Sequence, residues 1–132
     1  MKTKMLIIVS KSFIGFSIFS LLYVSFPSLV SPQATMDLVQ TNLPNTDALS
    51  SIRGIYGGVG LSICLALIYL LFENFKQALW FLGLFWGTYA MSRLITILVD
   101  GPLGNFGNQW IVIETIFCLI ALGLSFANRD KK

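Results

Sequence analysis

Between Leu79 and Asp100 runs LWFLGLFWGTYAMSRLITILVD, an apolar stretch that carries one arginine inside it. About 20 apolar residues at a rise of about 1.5 Å span the ~30 Å hydrocarbon core of a bilayer. Arg93 falls short of Asp100 by two helical turns, on the order of 10 Å below the membrane surface. A charge at that depth is costly and normally faces a protein interior, a cavity or a partner charge. The other polar residues of the apolar runs are therefore read as answers to Arg93.

Three further runs share this character. Met5–Val30, Ile52–Phe72 and Asn108–Ala127 are each long enough to cross a membrane. Charged residues make up 11% of the chain, too few to cover the surface of a soluble domain of this size. The expected fold is all-α: an integral membrane four-helix transmembrane bundle forming a single domain over residues 1–132. Its helices are expected at about 5–30, 52–72, 79–100 and 108–127, with an outer loop over 31–51.

The net charge of +3 could suggest nucleic acid, but no basic stripe interleaves with exposed aromatics. The lysines instead stand at the ends of apolar runs and read as topology. With the N-terminus in the cytoplasm, Lys2, Lys4, Lys11, Lys76, Arg129, Lys131 and Lys132 all lie on the inner side. The positive-inside rule then gives both termini inside, and only Arg53 and Arg93 lie toward the outer side. A retained first helix is expected rather than a cleaved signal peptide, because the small-x-small pattern before Gln33 and Ala34 is poor. The expected location is the inner (plasma) membrane of a cell, crossed several times.

The first run places Ser10, Ser17, Ser20, Ser25 and Ser28 on one broad arc, as a face packed on other helices would. Pro32 stops that helix, and Asp47 or Ser50 serves as a cap for the second. The second run opens with RGIYGGVG, Arg53 to Gly60. It fits neither GxxxxGK[ST] nor GxGxxG, so a phosphate loop is excluded. Gly54 and Gly58 form a GxxxG pair, a device that lets helix backbones approach. Arg53, Gly57, Gly60, Cys64 and Leu71 fall on one narrow stripe. In the third run Gly83 and Gly87 repeat the GxxxG spacing, and Trp86, Tyr89, Arg93, Thr96 and Asp100 line the adjoining face. In the fourth, Glu114 shares a stripe with Ile111, Cys118, Ala121 and Ser125.

RGIYGG, followed by Arg93 and the Asp100-Gly101 turn, resembles a bacterial family of four-helix membrane proteins catalogued as domain of unknown function 4345. The resemblance extends over most of the chain, including its length and its long first loop. It implies the fold derived above and no catalytic role.

Two arginines, Arg53 and Arg93, together with Glu114, Asp100, Tyr56 and Tyr89, gather in the outer half of the spans. The structural reading pairs Arg93 with Glu114 and lets Arg53 bond Asp100 or a phospholipid phosphate. The chain is then a non-enzymatic structural, accessory or interaction protein. The alternative is a binder or transporter of a small anionic or lipid ligand through an outer-leaflet pocket, the ligand held by the arginines and walled by Trp86, Tyr56 and Tyr89. An enzyme is the third class, weakened by the absence of histidine and of a nameable second catalytic group. Cys64 and Cys118 have neither CxxC nor zinc spacing and read as small apolar fillers. No metal and no cofactor is expected. The expected partners are the lipid bilayer and either a second copy or another membrane protein.

Overall fold

The computed structural model describes residues 2–129, Lys2 by its backbone alone. Asp130, Lys131 and Lys132 lie outside the described residues, as does the side chain of Lys2. The described residues form helices and turns without a strand. In order these are α1 (Lys2–Val30), α2 (Pro32–Asp37), α3 (Thr46–Ile52), a π-helical segment (Arg53–Val59), α4 (Gly60–Glu73), α5 (Phe75–Val99) and α6 (Asn105–Ala127). Helix α3, the π segment and α4 run on as one rod. Four helices are long and apolar enough to cross a membrane: Thr3–Val30, Thr46–Glu73, Phe75–Val99 and Asn105–Ala127. Their length and composition are those of a multi-pass membrane protein.

The second of these rods starts earlier than hydropathy suggests. Residues 31–51 are not one loop, because Pro32 both ends α1 and stands at the first turn of α2, where its missing N–H costs nothing. Asn45, rather than Asp47 or Ser50, caps α3, its side-chain oxygen accepting the Ala48 N–H at 2.8 Å. The bridge between α2 and α3 is held by Gln33. Its amide donates to Asp37 Oδ1 (2.7 Å) and the Thr41 carbonyl (3.0 Å) and accepts from the Leu43 N–H (2.9 Å).

The chain divides into two compact units, residues 15–72 and residues 1–14 with 73–132. In the first unit the later part of α1 runs antiparallel to the α3–α4 rod. Gly57 lies against Leu29, Gly60 against Ser25, and the Cys64 thiol donates to the Ile18 carbonyl at 3.8 Å. Close approach therefore uses Gly57 and Gly60. Cβ atoms at Gly54 and Gly58 would meet nothing within 4 Å, so the GxxxG pair takes no part in this packing. Most of the serine arc is buried: Ser17, Ser25 and Ser28 in this unit are almost fully covered, and Ser28 bonds both the Val24 carbonyl and Thr35, whereas Ser20 is half-exposed and donates to the Phe16 carbonyl of its own helix.

In the second unit α5 and α6 form an antiparallel hairpin with close backbone approach along its length. Gly83 packs on Leu122 and Gly87 on Cys118, whose thiol donates to the Gly83 carbonyl at 3.4 Å. Ala78, Leu79, Leu82 and Ala121 are wholly buried. The start of α1 docks here through Asn128, whose Nδ2 donates to the buried Ser10 hydroxyl at 3.0 Å. A ring contact between Phe13 and Phe117 adds to it, centroids 5.7 Å apart.

Candidate functional site

The hairpin register is set at its two ends. Asn74 caps α5 by accepting the Gln77 N–H. At the far end the Asp100 and Gly101 N–H groups both bond the Thr96 carbonyl, and Gly101 adopts φ 115°, a conformation that a Cβ disfavours. The turn then closes on α6, where the Asn108 amide donates to the Leu103 carbonyl at 2.9 Å and Gly107 packs under the Leu103 side chain.

This register brings Arg93 of α5 opposite Glu114 of α6. Nε donates to Oε2 at 2.7 Å and Nη2 donates to Oε1 at 2.9 Å, a two-pronged fork. The Glu114 side chain is 2% exposed and that of Arg93 21%. Such a fork satisfies both carboxylate oxygens with charged donors, the strong form of the hydrogen bond. The guanidinium also lies 5.9 Å from the centre of the Phe106 ring, whose π face attracts a cation. Phe106 in turn packs on Trp110, ring centres 6.0 Å apart. These two aromatics stand one and two turns before Glu114 on the same side of α6, a spacing visible in the sequence but not singled out there.

One to two turns further along the hairpin lies an aromatic cluster. Trp86 meets Phe117 and Phe85 edge-on, each with ring centres 5.1 Å apart, and Tyr89 lies 5.0 Å from Phe85. Trp86 is 4% exposed, and its indole N–H has no hydrogen-bond partner among the described residues. Trp86 is thus packed core, whereas Tyr89 is exposed on the helix surface. The neighbouring hydroxyls of Thr88, Ser92 and Thr96 all donate to carbonyls of their own helix. Asp100 is exposed at the end of α5.

Arg53 and Tyr56 belong to the other unit. Arg53 Nε donates to the Leu29 carbonyl at 2.9 Å, a group of the last turn of α1 that has no partner within its own helix. The structure therefore assigns Arg53 a helix-capping bond where Asp100 or a lipid phosphate was expected. Tyr56 is half-buried in the π-helical segment. Both cysteines are free thiols bonded to carbonyls of facing helices.

Comparison with known proteins gives a family match. The sequence profile of the family described as "Domain of unknown function (DUF4345)" fits residues 9–125. The chain belongs to this family. The match takes in Arg53, Arg93, Glu114 and most of each of the four apolar rods, so the DUF4345 region contains the whole candidate site. Neither the curated proteins nor the solved structures yield a match.

Proposed function

We propose that this DUF4345 protein is a non-enzymatic accessory or interaction protein of the bacterial inner membrane, spanning it four times with both termini in the cytoplasm. Its partners in this reading are the bilayer and a second copy or another membrane protein. The charged groups of its outer half serve structure. Arg93, Glu114, Asp100, Arg53, Tyr56 and Tyr89 then hold helices in register rather than bind a substrate.

The observation that supports the structural role is the Arg93–Glu114 fork. Each charge would be expensive alone in a low dielectric, and together they neutralise one another. An arginine engaged by both prongs is poorly placed to receive an anionic guest. Orientation is supported by the second unit, where Lys4, Lys11, Lys76 and Arg129 gather at one end. Contacts of Lys11 with Phe75 and of Ser10 with Asn128 bring the start of α1, the start of α5 and the end of α6 together there.

The test is a double-mutant cycle on Arg93→Met and Glu114→Leu, read by thermal unfolding in detergent. Each single change strands a charge, so the double variant is expected to be more stable than the sum of losses implies, with coupling of about 1 kcal/mol or more. Inorganic phosphate is expected to leave the wild-type midpoint unmoved. Additive losses, or a phosphate-induced rise that Arg93→Met abolishes, would overturn the structural role in favour of an anion pocket.

A further inference from the structure

At the other end of the α5–α6 hairpin a groove of about 420 Å³ is lined by Trp80, Leu122, Ser125, Phe126 and Arg129. Trp80 and Arg93 are thirteen positions apart on α5, about 20 Å along the helix, so this groove is distinct from the charged fork. We infer that it is the seat of one anionic phospholipid, its headgroup phosphate at Arg129 and Ser125 and an acyl chain laid along Trp80, Leu122 and Phe126. The inference rests on the reading of the apolar rods as membrane spans.

The groove has the two-part chemistry that a phospholipid needs. Its floor is apolar and open: Trp80 and Phe126 are more than half exposed, and Leu122, which packs on Gly83, joins them to the hairpin seam. A water-soluble anion gains nothing from such a floor, whereas a lipid chain covers it. At the mouth stands a single cation. The backbone N–H of Arg129 closes the last turn of α6 on the Phe126 carbonyl, which fixes where its side chain starts. The Arg129 guanidinium has no acidic or hydrogen-bonding partner among the described residues, in contrast to Arg93, which is held by Glu114. Ser125, one helical turn before Arg129, adds a hydroxyl to the wall. Guanidinium and hydroxyl together are the donors a phosphodiester accepts from.

The surrounding charge points the same way. Lys4, Lys11, Lys76 and Arg129 share this end of the unit, with Glu73 the acidic residue among the described groups there. Lys11 is placed over the Phe75 ring, 5.8 Å from its centre, at the first residue of α5. Basic pockets between helices on the cytoplasmic side favour lipids with anionic headgroups. An indole at the start of a span is also the side chain that sits best at headgroup level.

The probe is phosphatidylglycerol against phosphatidylcholine, offered as an equimolar mixture to the purified full-length chain in detergent and counted by native mass spectrometry. Wild type is expected to retain one phosphatidylglycerol about fivefold over phosphatidylcholine, the equivalent of the ~1 kcal/mol that one basic residue contributes at an anionic surface. Arg129→Gln is expected to abolish that preference, and Trp80→Ala to lower retention of both lipids. Lys4→Gln, basic and at the same end but outside the groove, is expected to keep the preference. Circular dichroism of each variant controls for folding. Equal retention of the two lipids by wild type, or an unchanged preference in folded Arg129→Gln, would overturn the site. Displacement of the lipid by millimolar inorganic phosphate would overturn the lipid as its occupant. Flotation with phosphatidylcholine vesicles tests the membrane reading separately, since that requires no anionic headgroup.

Discussion

Asn128 and Ser10 stand 118 residues apart in sequence, and the amide of one donates to the hydroxyl of the other at 3.0 Å. Both are almost wholly buried. The same amide nitrogen also donates to the Leu124 carbonyl at 2.7 Å, so its two hydrogens are both used. One side chain thereby finishes α6 and ties the start of α1 to it.

Replacing Asn128 by leucine is expected to lower the thermal midpoint in detergent. The change strands the Ser10 hydroxyl and frees the end of α6, at a cost of about 1 kcal/mol. Ser10→Ala removes one of the two bonds and is expected to cost less. Because the two residues share a bond, the double variant is expected to lose less than the sum. Strict additivity in the unfolding midpoints would argue against the contact.

Neighbouring glycines in the π-helical segment are expected to respond to the same substitution with opposite signs. A Cβ at Gly57 would sit 2.7 Å from the Leu29 side chain and 3.0 Å from its backbone nitrogen, so Gly57→Ala must push two helices apart. At Gly58 the same Cβ meets nothing within 4 Å. Gly58→Ala therefore adds only helix propensity, up to about 1 kcal/mol in its favour. Thermal unfolding of the two variants measures the contrast. Loss of stability at Gly58 as well would mean that a second chain covers that face.

The α5–α6 hairpin offers a parallel comparison with a larger side chain. Gly83 faces Leu122 at 2.6 Å from a built Cβ and Gly87 faces the Cys118 sulfur at 3.1 Å, whereas Gly123 has open space. Gly83→Leu and Gly87→Leu are expected to lose folded yield in detergent, and Gly123→Leu to be tolerated. Small and equal effects at the three sites would contradict the packing.

Much of this was legible because the membrane reading makes cost visible. Arg93 and Glu114 announce each other, since either charge alone in an apolar run is expensive and their distances from the turn match. The Gly83/Gly87 seam and the buried serines follow from α-helical spacing. At the start of the second rod the stripe Arg53, Gly57, Gly60 and Cys64 is likewise the face that meets α1, whereas the GxxxG spacing of Gly54 and Gly58 misleads, since both face open space. Arg53 was hard to place because its partner, the Leu29 carbonyl, is backbone and leaves no trace in a sequence. Asn128 looks like the polar flank of a span. Only the arrival of Ser10 from the far end of the chain makes it core.

Topology is the remaining expectation, and it bears on both ends of the α5–α6 hairpin. Lys4, Lys11, Lys76 and Arg129 share one end of their unit, so the positive-inside rule puts that end in the cytoplasm and the Arg93–Glu114 fork in the outer half. Asn45 and Asn74 are exposed and lie near opposite ends of the α3–α4 rod. In a background with Cys64 and Cys118 changed to alanine, a cysteine at Asn45 is expected to react with an impermeant maleimide applied to intact cells. A cysteine at Asn74 is expected to react only after the membrane is permeabilised. Labelling in the reverse order would turn the chain over and bring the Trp80–Arg129 groove to the outer leaflet. Labelling of both sites in intact cells would mean that the α3–α4 rod does not cross the membrane.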